Sequence, residues 1–142
     1  MEHLRDIMTT SVEFCTPVDN VYEVAVKMKD LNVGAIPICE EERLLGMITD
    51  RDIVIRGVAE KRPNSTQVTD IMTDNLITAT PDMSIDDAAN LMADKQIRRL
   101  PIVENNKLVG IVALKDLAVH RGTIDEAGYA LSEISESQEV HH

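Results

Sequence analysis

The chain repeats itself at a constant offset of 64 residues, with no insertion or deletion between the copies. Asp6-Ile7-Met8-Thr9 returns as Asp70-Ile71-Met72-Thr73, Thr16-Pro17 as Thr80-Pro81, and Pro37-Ile38 as Pro101-Ile102. Gly46 returns as Gly110 and Asp52 as Asp116. About 15 of the 48 positions from Asp6 to Ile53 are identical in the second copy, and most others exchange apolar for apolar or polar for polar. Long-period self-similarity is a statement about architecture. Two copies, rather than an open array, imply a pseudo-two-fold pair in which each copy buries one face against its twin, leaving a shared crevice. A copy alone would be about 60 residues, where burial is marginal, so the halves are expected to depend on each other. The repeat divides the chain into a first copy at 1–60, a linker at 61–66, a second copy at 67–122 and a tail at 123–142.

Composition narrows the function classes. With 44% hydrophobic and 27% charged residues the chain reads as soluble and globular. No apolar run approaches the roughly 18–20 residues of a membrane span, and the start, Met1-Glu2-His3-Leu4-Arg5-Asp6, has no signal-peptide pattern. The cytoplasm is the expected location and no membrane partner is expected. A net charge of −11, one Phe, two Tyr and no Trp argue against nucleic-acid binding, which needs phosphate neutralisation and stacking platforms. Any bound anion must therefore meet a local basic cluster. His3 and His120 have no spaced ligand partners, so no zinc site is expected.

Each copy reads strand, helix, strand, strand, helix, preceded by a short helical turn at Arg5–Met8 or Val68–Met72. Val12–Cys15 is the first strand, stopped by Pro17. Asp19 or Asn20 then caps a helix, with Asn20-x-x-Glu23 forming a capping box, and its buried face is Val21, Val24, Ala25, Met28 and Leu31. Ser84-x-x-Asp87 opens the twin helix, with Ile85, Ala88, Ala89 and Met92 on its face. Ile36–Cys39 and Leu44–Ile48 flank the charged turn Glu40–Arg43 as a hairpin, and Leu100–Val103 and Leu108–Val112 flank Asn105-Asn106 as its twin. Asp50–Val58 and Lys115–His120 are the closing helices. Beyond the repeats, Ile124, Ala127, Leu131 and Ile134 mark a short amphipathic helix expected to dock on the repeat pair or on a second subunit.

Catalytic constellations are absent. Neither His3 nor His120 stands near a Ser or Cys motif, and the six Gly are scattered singly, so there is no phosphate loop of the dinucleotide-binding or Walker type. An enzyme is not expected. The informative segment is Gly46-Met47-Ile48-Thr49-Asp50-Arg51-Asp52, a strand running into a helix start. Free N–H groups there favour an anion. Thr49 can donate to a phosphate, Arg51 can pair with it, and Asp52 can accept from two ribose hydroxyls. Thr49-x-x-Asp52 is equally a plain capping box. The second copy keeps Asp116 but has Ala113, which cannot cap, at the Thr position. Arg98-Arg99 replaces Gly34-Ala35, either as a solvated pair or as a phosphate clamp. Cys15 and Cys39 read as small buried hydrophobes, with a redox-responsive pair as the competing reading.

These segments together resemble a tandem CBS-domain protein, a Bateman module of the stand-alone bacterial kind. The resemblance spans Arg5 to about Arg121 and rests on the two Asp-Ile-Met-Thr tetrads, the two Thr-Pro pairs, Gly34-Ala35-Ile36-Pro37-Ile38, Ile97–Val103, Gly46–Asp52 and Gly110–Asp116. It implies an α+β fold of two β-α-β-β-α units packed about a pseudo-two-fold axis and pairing through helices into a homodimer. It also implies clefts between the repeats for AMP, ADP, ATP or S-adenosylmethionine as ligand rather than resident cofactor. By motif match, Asp52 would hold the ribose, Thr49 and Arg51 the phosphate, and Thr16, Ala35, Ile36 and Pro37 the adenine. In the other cleft Asp116 would hold the ribose, Thr80, Leu100 and Pro101 would lie near the base, and Lys115 or Arg99 would face the phosphate. Ala113 departs from the family's Ser or Thr, so the Asp52 cleft is expected to be the better phosphate site, or the second to prefer a different ligand. With no catalytic or transporter domain in these 142 residues, output would act in trans on an unidentified protein partner. A scaffold with empty clefts is the alternative.

Overall fold

The computed structural model describes residues 2–120, so the amphipathic segment at Ile124–Ile134 lies outside the described residues. Two compact units are present, and they do not follow the repeat boundaries. One is Glu13–Leu76; the other joins residues 2–12 to residues 77–120. The tetrad Asp6–Thr9 therefore belongs to the unit that carries the second hairpin, and Asp70–Thr73 to the unit that carries the first.

In the Glu13–Leu76 unit, helix α1 (Val21–Leu31) begins with the expected capping box: the Asn20 side chain accepts from the Glu23 N–H at 2.9 Å, and Glu23 accepts from the Asn20 N–H at 3.0 Å. The helix ends at Asn32, which takes the left-handed conformation (φ 57°) that closes its last carbonyls. Strands β1 (Ala35–Glu40) and β2 (Arg43–Thr49) form the antiparallel hairpin. Val21, Val24 and Met28 of α1 pack with Ile36, Ile38 and Ile48 of the hairpin, and Val68 and Ile71 complete that core. The expected first strand is reduced to one parallel bridge, in which the Cys15 N–H donates to the Pro37 carbonyl at 3.0 Å and the Cys39 N–H to the Cys15 carbonyl at 2.8 Å.

The closing helix also differs from expectation. One α-turn, α2 (Asp50–Asp52), runs into a π-helical turn at Ile53–Val58, where the Ala59 N–H donates to the Val54 carbonyl at 2.8 Å. The Arg56 guanidinium donates to the Met72 carbonyl at 3.1 Å, tying that turn to the tetrad. A contact between residues sixteen apart in sequence leaves no local trace in the pattern of apolar residues.

The other unit repeats the plan. Helix α3 (Ile85–Lys95) starts at Ser84, whose hydroxyl accepts from the Asp87 N–H at 3.1 Å, and ends at Gln96 with φ 55°. Strands β3 (Arg99–Glu104) and β4 (Lys107–Ala113) form the second hairpin, and α4 (Leu114–Ala118) closes it. Ala88, Ala89 and Met92 pack with Leu100, Ile102, Val112 and Leu117, and Leu4 from the N-terminal segment is fully buried among them. Ala79 makes the parallel bridge to Ile102 that Cys15 makes to Ile38.

Both hairpins carry the same irregularity. Ile38 faces Gly46 while Cys39 faces Leu44, so Leu45 is extra; Val109 is extra in the twin. Both glycines sit under the opposing tetrad. A Cβ on Gly46 would lie 2.7 Å from the Met72 sulfur and 2.8 Å from the Thr73 carbonyl oxygen. On Gly110 it would lie 2.7 Å from the Met8 sulfur and 3.1 Å from the Thr9 oxygen. Met47 and Thr73 exchange both backbone hydrogen bonds at 2.8 Å, as Ile111 and Thr9 do at 3.0 and 2.9 Å. The close approach of a methionine side chain and a backbone carbonyl explains these glycines.

Candidate functional site

The strand-to-helix corner is built the same way in each unit. At the end of β2, Ala35 lies opposite Thr49, and the Asp50 N–H donates to the Gly34 carbonyl at 2.9 Å. At the end of β4, Arg99 lies opposite Ala113, and the Leu114 N–H donates to the Arg98 carbonyl at 2.8 Å. These bonds hold the helix start against the first residues of the neighbouring strand, so residues 34, 35 and 49–52 share one corner, as do 98, 99 and 113–116.

The conserved-looking geometry within the chain is that of the two carboxylates. One Asp52 oxygen accepts the Thr49 N–H at 3.0 Å, and the Thr49 hydroxyl accepts the Asp52 N–H at 3.0 Å. The capping box thus forms. It does not exhaust these groups. The second Asp52 oxygen has no hydrogen bond among the described residues, and the Thr49 hydroxyl, acting as acceptor, keeps its proton to donate. Asp116 repeats half of this: one oxygen accepts the Ala113 N–H at 2.9 Å, and the other has no partner among the described residues. Both aspartates are half-buried. Each is oriented by its own backbone and keeps one solvent-accessible carboxylate oxygen with no protein partner among the described residues, an arrangement suited to a diol.

The remaining sequence-chosen residues divide by exposure. Arg51 and Lys115 are exposed, and Arg99 and Ala35 are half-buried. Thr16 is half-buried, its N–H donating to the Asp19 carboxylate at 2.8 Å, whereas Thr80 is exposed. Ile36 and Leu100 are core side chains, at 1% and 0% exposure. Pro37 and Pro101 are buried, and their carbonyls receive the Cys15 and Ala79 N–H groups at 3.0 Å. Beside the first corner an open hollow of about 310 Å³ is lined by Asp50, Arg51, Val54 and Ile55. A tighter hollow of about 170 Å³, bounded by Val21, Tyr22, Gly57 and Arg62 among others, includes none of the chosen residues.

One feature escaped sequence reasoning. The Asp50 carboxylate stands 3.1 Å from where a Gly34 Cβ would be, so an acid fills the space beside Gly34. Its counterpart is Leu114, beside Arg98. The signal was present as a paired exchange between copies: Gly34 to Arg98 together with Asp50 to Leu114. The cysteines are both buried and free. Cys15 registers with Ile38 and shares its face, and Cys39, next along the strand, points to the other. Burial pushes both thiols up to about 11, keeping them protonated at neutral pH. That geometry disfavours a bridge between them. Among the described residues no cluster of metal-ligating side chains exists, and no helix is long and apolar enough to cross a membrane.

Comparison with known proteins agrees with this architecture. The chain is 51% identical over 138 residues to the uncharacterized protein YlbB of Bacillus subtilis, covering 96% of this chain and 93% of that one. It is 49% identical over 141 residues to the CBS domain-containing protein YhcV of the same organism, covering 99% and 100%. Among solved structures, the CBS domain pair of protein MJ0100 in complex with 5′-methylthioadenosine and S-adenosyl-L-methionine matches with a TM-score of 0.73 and 29% identity, over 83% of this chain and 94% of that one. The CBS domain family model matches twice, at residues 4–57 and 68–121. On the doubled hairpin-and-helix unit and on these matches, the chain belongs to the CBS-domain family as a tandem pair.

Proposed function

We propose that this chain is a cytoplasmic regulatory module that binds adenosine-containing ligands at its two strand-to-helix corners and passes their occupancy to a protein partner in trans. The observation that carries the reading is the pair of aspartates, each fixed through one carboxylate oxygen and open at the other. A charged acceptor already oriented and partly desolvated holds a vicinal diol well, each hydrogen bond to it contributing roughly 1.5–3 kcal/mol. The MJ0100 pair, seen with two adenosine derivatives, lends support through shared fold and 29% identity. In this reading Asp52 and Asp116 take the riboses, the Thr49 hydroxyl and Arg51 serve one phosphate, and Arg99 and Lys115 serve the other. Thr16, Ala35 and Pro37, and Thr80 and Pro101, flank the bases mainly through backbone and edge atoms, because Ile36 and Leu100 are spent in the cores. Pairing of two copies through helices is favoured by the exposed Tyr22, Val54, Ile55 and Val58.

Calorimetry with adenosine, AMP, ATP and S-adenosylmethionine tests this. Saturable heat in the parent, lost in the Asp52→Asn and Asp116→Asn double variant, is the expected result. Asparagine keeps a side-chain oxygen for the capping bond, so loss of binding with an unchanged melting temperature isolates the diol contact. The completed Thr49–Asp52 box favours one competing reading, a ligand-free scaffold. Under that reading no nucleotide gives heat, and Asp52→Ala, which removes the acceptor of the Thr49 N–H, lowers stability without altering any ligand response.

A further inference from the structure

The two corners carry opposite charge. At the first, Gly34 and Ala35 are neutral and Asp50, Arg51 and Asp52 sum to −1. At the second, Arg98, Arg99 and Lys115 against Asp116 sum to +2. The backbone places each set together by equivalent bonds: Asp50 to Gly34, Leu114 to Arg98, and the facing pairs Ala35 with Thr49 and Arg99 with Ala113. Arg98, Arg99 and Lys115 have no ion pair among the described residues, although acids outnumber bases 25 to 14 in the chain. Three cations without an ion pair, placed by the backbone at the start of one strand and in the first turn of the helix beside it, give this corner a local positive charge in an acidic chain. At the first corner the Asp50 carboxylate sits where the second corner has apolar Leu114 beside Arg98, and so repels extended phosphate.

We infer that the corners are selective by phosphate number: the Arg98–Arg99–Lys115 corner takes adenosine ligands bearing two or three phosphates, and the Thr49–Asp52 corner takes adenosine ligands bearing one or none. The inference rests on the adenosine reading above and adds the division of ligands between the two sites. It also reassigns the effect of Ala113: a missing hydroxyl is outweighed there by three cations, each giving a charge-assisted bond.

Calorimetry of the full chain across adenosine, AMP, ADP and ATP, with inorganic tripolyphosphate as the base-free probe, decides it. At one site affinity should climb with phosphate number, about tenfold or more from AMP to ATP, and weaken steeply with added salt. At the other it should be flat or fall. Arg98→Gln with Arg99→Gln should flatten the climb and abolish tripolyphosphate binding while leaving the second isotherm in place. The exposed Lys115→Gln, away from the strand, should reduce the climb partway if the arginine pair disturbs folding. A climb that survives these variants, or equal affinity for all four compounds at both sites, overturns the division but spares the adenosine reading. No heat from any adenosine compound in the parent overturns both.

Discussion

The first-copy corner and the second-copy corner share a frame and differ in chemistry. In both, a helix start is hydrogen-bonded to the strand beside it, and an aspartate folds back on the last strand residue at 2.9–3.0 Å. One then offers a hydroxyl and a net negative charge, the other three cations and no hydroxyl. A duplicated frame holds because its bonds are mostly backbone bonds, indifferent to side-chain identity. Side chains projecting from it lie outside those bonds and are free to diverge. Equal geometry therefore does not imply equal specificity.

The comparison breaks most severely if the shared frame is not shared. Gly46→Ala and Gly110→Ala each push a Cβ into a methionine sulfur and a backbone oxygen, and each should destabilise by about 1–3 kcal/mol. Gly46 should suffer more, because its backbone contact is the closer, 2.8 against 3.1 Å. Chemical denaturation of both variants checks this, and a tolerated alanine at either position would mean the frames differ.

The caps come next. Thr49→Ala removes the hydroxyl that accepts the Asp52 N–H and should cost about 1 kcal/mol, making the first corner like the second. Ala113→Thr should return up to about the same amount. Equal and opposite shifts in melting temperature would sharpen the equivalence of the two frames.

The hairpin turns extend the contrast. Glu41 and Glu42 occupy left-handed conformations (φ 52° and 72°) that Asn105 and Asn106 adopt at 55° and 66° in the twin. Left-handed backbone suits Asn and Gly and strains a longer side chain. Glu41→Asn with Glu42→Gly should therefore raise stability by about 0.5–1 kcal/mol, whereas Asn105→Glu should lower it. Urea titration of the three proteins is the measurement.

The smallest effect is confined to the first copy, since Ala79 and Val103 stand where Cys15 and Cys39 do. Burial raises both thiols from their ordinary 9.0 to about 11. Between those values the unfolded chain releases protons that the folded one retains, so stability falls as pH rises. The loss should be under about 1 kcal/mol per thiol at pH about 9.5. Cys15→Ala with Cys39→Val should flatten the alkaline limb of a melting-temperature profile.

Much of this was legible without coordinates. The two hairpins, the helices over 21–31 and 85–95, and the Asn20 and Ser84 caps followed from spacing and cap chemistry. The corners were legible as strand-to-helix junctions because Gly46–Asp52 and Gly110–Asp116 change period at Thr49 and Ala113. The π-turn was not, because Ile53, Val54, Ile55 and Val58 fit an α-helical or a π-helical winding equally well. The first strands shrank to single bridges because Pro17 and Pro81 cut them short and each finds one strand partner only. The need for glycine at 46 was not legible, because nothing local told which backbone would lie against it.

Sequence by itself determined the duplication, and with it the helices over 21–31 and 85–95, their caps and the acid in the first turn of each closing helix, since caps and helix faces depend on neighbours three or four residues away. Tertiary structure decided that each Asp-Ile-Met-Thr tetrad packs in the unit opposite to its own copy, that Gly46 and Gly110 make room for it, and which side chains meet at a corner. Such choices pair segments tens of residues apart. Their free energy comes from mutual burial and shared backbone bonds, which belong to neither segment alone.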